Sequence, residues 1–173
     1  MKLKEIIAHD SRGAALHEVA HAIVASKWGS TVVVTVFKAD GVLNITTEKT
    51  VLGQGRYARP KSLMGRSAIG WAGGIGEALG ADADADFYEI LDQLESEYDI
   101  LSDTDRQAVE AVAMVYRRRA ARMAYDILWE NRPALLAVSR YLVRSFARRG
   151  VAYAMWNQGK GWEGLNGFRI KIA

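Results

Sequence analysis

The chain has 173 residues, half of them apolar and a quarter charged, with a net charge of +3 and no cysteine. That composition fits one folded domain and excludes disulfides, thiolate metal sites and cysteine nucleophiles. No stretch approaches ~20 consecutive apolar residues, and the N-terminal "MKLKEIIAHDSRG" lacks a signal-peptide core, so the expectation is a cytoplasmic protein without a membrane span.

The small net charge hides a segregation. Residues 77–105 hold 11 acidic side chains and no basic one, while residues 106–150 hold 10 arginines against 3 acids. Such blocks are expected to fold near one another or to present faces of opposite sign.

In chain order, Asp10 or Ser11 is expected to cap a helix on which Ala15, Leu16, Val19, Ala20, Ile23 and Val24 recur at three and four, with Gly29 ending it. "STVVVTVF" (30–37) is β-branched and reads as a strand, the Asp40-Gly41 pair as a turn, and "VLNITT" (42–47) as the return strand of a hairpin. Residues 48–60 read as a loop, with Gly53, Gly55 and Pro60 as breakers. A glycine-rich helix is predicted over 61–79 and ends at Gly80; an acidic link "ADADAD" leads to a helix over about 86–98. Ser102 opens a long helix, 103–131, with Val109, Val112, Val115, Tyr116, Met123 and Ile127 on one side. Pro133 starts another, which Gly150 ends. The tail, 151–173, is rich in glycine and tryptophan and receives no assignment. The fold class is therefore mostly α with one small β-hairpin, a single domain whose core spans about 11–150.

The first helix carries "GAALHEVAHAIVASKWGS". Residues i and i+4 of an α-helix lie about 40° apart in azimuth and 6 Å apart in height, so His17 and His21 project side by side and can share one ion. Glu18 sits about 100° round from His17, within reach of a water on that ion. This is the mechanical content of H-E-x-x-H, and it points to Zn2+. The alternative is one buried and one surface histidine, but a glutamate between them on an otherwise apolar helix needs a cation or another partner. With Val24 and Lys27 where a metzincin has glycine and histidine, the third ligand is expected to be a carboxylate from the acidic block. His9 reads as a surface residue.

"LHEVAHAIV" is similar to the H-E-A-G-H-A helix in the peptidase domain of the FtsH family of membrane-bound, ATP-dependent zinc proteases. The later order also resembles it: a β-branched hairpin, then "AGGIGEAL" where the family has G-G-R-x-A-E, then "SDTDRQAVEAV" where it has S-N-D-L-x-x-A-T, then "AYDILWENRPALLAVSRYLV" for its last two helices. The likeness covers about residues 11–150. It implies a helical zincin domain with His17, His21 and Asp105 as ligands and Glu18 as the general base. Asp103 is the neighbouring alternative. Asp105 also fits a capping box with Ser102. Glu77 is a candidate helical ligand or a hydrogen-bond partner of a ligating histidine. The chain departs from the pattern at Ala20, at Gly74 in the arginine position, and in its acidic insert.

The arginines at 117, 118, 119, 122, 140, 144, 148 and 149 read as a solvated face pairing with the acidic block, not as a nucleic-acid surface. No G-x-x-x-x-G-K-[ST] loop occurs. The expected activity is zinc-dependent hydrolysis of unfolded or flexible polypeptide without ATP, with the strand at 31–37 holding the substrate by strand addition. A separate ATPase or a second copy is the expected partner. The rivals are a catalytically silent zinc-binding scaffold and a protease dedicated to one regulatory protein.

Overall fold

Six helices and five strands follow one another through the residues that the structure, a computed structural model, describes: 3–28, 32–38, 51–82, 84–98, 101–158, 160–164 and 169–170. They are α1 (Leu3–Ser26), β1 (Val32–Lys38), β2 (Val51–Arg56), α2 (Leu63–Ala81), α3 (Phe87–Ser96), α4 (Asp103–Val109), α5 (Met114–Glu130), α6 (Arg132–Arg149), β3 (Val151–Asn157), β4 (Gly161–Gly164) and β5 (Arg169–Ile170). The fold is mostly helical with a small antiparallel sheet, as expected. No described helix is long and apolar enough to cross a membrane.

The centre is α1, which packs on α2 and α6 and against β1 and β2. Its buried stripe, Ala15, Leu16, Val19, Ala20, Ile23 and Val24, is the predicted one. The helix begins at Leu3, however, and runs through Asp10 and Ser11, which do not cap it. Lys4, Glu5 and Ala8 are good helix formers and continue the helix upstream. The side chain of His9 and the predicted terminator Gly29 lie outside the described residues.

A close approach sets the α1–α2 pair. A Cβ added to Gly76 would fall 2.2 Å from the Ala20 Cβ, so only glycine lets the two helices meet there. Ser62 caps the start of α2 by accepting the Gly65 amide at 3.1 Å. At its far end Arg12 donates to the Gly80 carbonyl at 3.1 Å, and Arg132 to Leu79 at 3.0 Å, two cations on the free carbonyls of a helix terminus.

Three local expectations give way to tertiary ones. The predicted helix 103–131 is two helices, interrupted between Val109 and Met114. Ser67 donates to the Val109 carbonyl at 2.9 Å, a carbonyl that a continuing helix would have offered to its own next turn. Met114, Val115 and Tyr116 are consequently exposed, and the buried side of α5 is Ala120, Ala121, Ala124 and Leu128. Residues 51–56, read as loop, form β2. Its glycines face a close packing partner instead of breaking the chain. The turn at 40–41 and the strand at 42–47 lie outside the described residues.

The tail is no appendage. The five strands run in the order β2-β1-β3-β4-β5, so the β-element is larger than one hairpin. Val34 sits opposite Ala154, and Trp156 opposite Trp162. Alternate residues Val32, Val34 and Val36, with Ala152, Ala154 and Trp156, are buried on one face. Gly150 takes the left-handed conformation (φ 73°) that turns the chain from α6 into β3. Because β1 is paired on both sides, it cannot accept an added peptide strand as expected. Among the described residues the edge strands are β2 and β5, and of these β2 lies beside the histidines' helix, α1.

Candidate metal centre

His17 and His21 leave α1 on one side, with ring centroids 4.6 Å apart and planes at 78°. A Cβ on Gly73 of α2 would fall 2.4 Å from the His17 Cε1, so the helix offers a shallow seat for that ring. His21 is buried, and its Nδ1 donates to the Ile69 carbonyl at 2.7 Å, since a carbonyl can only accept. His17 Nδ1 lies 2.7 Å from Glu77 Oε1, which accepts its proton. Both rings thereby turn Nε2 the same way.

Those nitrogens meet Asp105. His17 Nε2 is 3.2 Å from Oδ2, and His21 Nε2 is 3.2 Å from Oδ1. Asp105 reaches the histidines from the first turn of α4, where the Ser102 hydroxyl accepts its amide at 3.1 Å and donates to Oδ2 at 2.7 Å. The capping-box geometry and the approach to the histidines coexist in one residue. Asp103 faces solvent and pairs with Arg106, away from the cluster. Glu77 stands behind His17 and does not converge with the other three.

Electrostatics bind the three side chains to one another. Burial works against the charge of Asp105, but hydrogen bonds from His17 and then His21 outweigh it and hold the carboxyl well below its usual range. Burial likewise opposes the His17 imidazolium; bonds to Asp105 and then Glu77 prevail and raise it to about 10.

One ligand atom from each of His17, His21 and Asp105 lies within 4.8 Å of the others. Zinc bonds of about 2.0–2.2 Å in tetrahedral geometry separate ligand atoms by roughly 3.3–3.6 Å, which the observed spacing meets with small adjustments. Two oriented imidazoles and a carboxylate, with no thiolate in the chain, are a donor set that fits zinc.

The cluster forms the floor of a cleft of about 890 Å³. Glu18 lines it from α1. A Cβ on Gly53 would fall 2.3 Å from the Glu18 Cγ, and one on Gly55 would fall 3.0 Å from its Oε2. Tyr57 follows on the cleft side, its ring 3.5 Å from the same point at Gly55. Burial first, then the charges of Asp105 and Glu18, push its phenol up to about 12, so the hydroxyl keeps its proton. Tyr57 was missed in the sequence, although Gly53, Gly55 and Tyr57 at period two mark one face of a strand. The Ile69 carbonyl left no side-chain signal to find.

The chain matches no protein-family model and no curated protein.

Proposed function

We propose that the chain is a zinc-dependent endopeptidase acting on unfolded or flexible polypeptide segments. The observation that carries this reading is the convergence of both histidine Nε2 atoms on Asp105 beside Glu18, at the floor of an open cleft. The resemblance of the motif order to the FtsH peptidase domain supports it.

In this reading His17, His21 and Asp105 hold zinc. When bound, zinc supplies a Lewis acid for the scissile carbonyl and lowers the pKa of a water to about 7. Glu18 takes the proton of the attacking water and later returns it to the leaving amine nitrogen, so C–O forms, C–N breaks, and a carboxylate and an amine depart. The protonated Tyr57 hydroxyl donates toward the negative charge that grows on the carbonyl oxygen. The free edge of β2 holds the peptide extended across Glu18.

Such a cleft takes a single extended strand, so the substrates are loops, tails and unfolded chains. Coupling to ATP would come from a separate partner, and the working place is the cytoplasm. The test joins metal content to turnover on a permanently unfolded protein, for wild type and Glu18→Gln. One zinc per chain in both, with hydrolysis in the wild type alone, is the expected result. Zinc binding with no hydrolysis in either makes the protein a zinc-holding scaffold instead. Equal turnover in the two removes Glu18 from the mechanism.

A further inference from the structure

The acidic insert has a face that the peptidase reading leaves unused. Ile90, Gln93, Leu94 and Glu97 recur along α3 and its C-cap at i, i+3, i+4 and i+7, one side of a helix, and all four line the cleft that Gly53, Gln54 and Gly55 of β2 also line. Leu94 is brought in by Gly74 of α2, where an added Cβ would fall 2.6 Å from the Leu94 Cδ2. A longer side chain at position 74 would push α3 outward. The wall is therefore apolar at Leu94, which lies against the core that holds the buried Ile90, and becomes acidic at Glu97, three residues on.

With zinc bound and His17 neutral, the charge of the cleft is one-sided. Glu18, Glu77, Glu97 and Asp105 line it, and among the described residues no lysine or arginine does. Zinc bound at Asp105 offsets two of those charges. Glu77 is engaged by one oxygen with His17, whereas Glu97 has no cationic partner among the described residues. Glu95, on the other side of α3, is already held by Arg118 at 2.6 and 3.1 Å.

Spacing turns this wall into a rule for the substrate. Side chains three apart on a helix stand about 5–6 Å from each other, and alternate residues of an extended peptide stand about 6.6 Å apart on one side. We propose that α3 selects polypeptide segments in which an apolar side chain, seated against Leu94, is followed or preceded two positions away by a lysine or arginine that pairs with Glu97. The proposal rests on the peptidase reading and adds its substrate class.

The test uses the zinc-loaded Glu18→Gln protein, which binds without cleaving, and fluorescein-labelled decapeptides on a Ser/Gly/Ala background. Four cores are compared by anisotropy: Leu-x-Arg, Arg-x-Leu, Leu-x-Glu and Ser-x-Arg. One of the two Leu/Arg orders should bind about fivefold tighter than Leu-x-Glu, the scale of one exposed ion pair, and the gap should shrink at high salt. Adding Glu97→Gln should erase that gap, and Glu97→Lys should invert it; Leu94→Ala should erase the advantage of leucine over serine. Equal binding of all four peptides, or a ranking that survives Glu97→Lys, overturns the proposal. If wild type digests unfolded protein while the peptides bind alike, only this proposal falls. If it neither digests protein nor binds peptide, the peptidase reading falls with it.

Discussion

His17 Nδ1 lies 2.7 Å from Glu77 Oε1, and this bond, made across two helices, turns the Nε2 of the same ring onto Asp105. Glu77 and Asp105 thus hold opposite edges of one imidazole, and they should respond differently to removal. Asp105→Ala should abolish zinc binding and hydrolysis together. Glu77→Ala should leave a zinc site weakened by about 10–100-fold, as losses behind a ligand typically do. Competition with a chromophoric chelator measures both, and zinc retained by the first but lost by the second would exchange the two roles.

The pH dependence of the metal-free protein follows from the same pair. His17 is raised from 6.5 to about 10 in the folded state, so its contribution to stability is complete below 6.5 and is lost as pH rises toward 10. Asp105 is lowered from 3.8, so its contribution is present above that value and is lost as pH falls below it. The melting temperature of the zinc-free protein should be highest between these limits. Zinc needs a neutral His17, so binding near pH 7 should release about one proton from it. Calorimetry in buffers of different ionisation enthalpy counts that proton, and a count near zero contradicts the charge state derived for His17.

Tyr57→Phe tests the phenol beside Glu18. Zinc content and KM should stay near the wild type, while kcat should drop by about 100-fold, the usual cost of one donor at a developing oxyanion. An unchanged kcat would reduce Tyr57 to a wall of the cleft.

Gly73→Ala probes the seat of His17 without replacing a ligand. The new methyl would press on a ring already held by Glu77 and Asp105, and overpacking of this kind costs about 1–3 kcal/mol. Urea unfolding of the metal-free protein should show that loss, and zinc affinity should fall with it. Wild-type values for both would mean that α2 yields freely at this point.

Several features of the fold are written in short stretches of chain. The buried stripe of α1, the caps at Ser62 and Asp86 and the left-handed Gly150 each depend on residues within one or two helical turns, and each stands where local chemistry puts it. The side-by-side projection of His17 and His21 is of the same kind, because helix geometry alone sets it.

The carboxylate that meets the histidines is another matter. Asp103, Asp105 and Glu77 offer the same chemistry in sequence, and they lie 60 residues or more from His17. Packing separates them. A Cβ on Gly70 would fall 2.7 Å from the Asp105 carbonyl, so glycine there lets the α4 backbone come down on α2 and deliver Asp105 to the nitrogens, while Asp103 turns to Arg106. The same dependence hid β2, β3 and the break before α5. Strand pairing with β1, and the donation from Ser67 to Val109, are made by partners distant in the chain, and no local propensity encodes them.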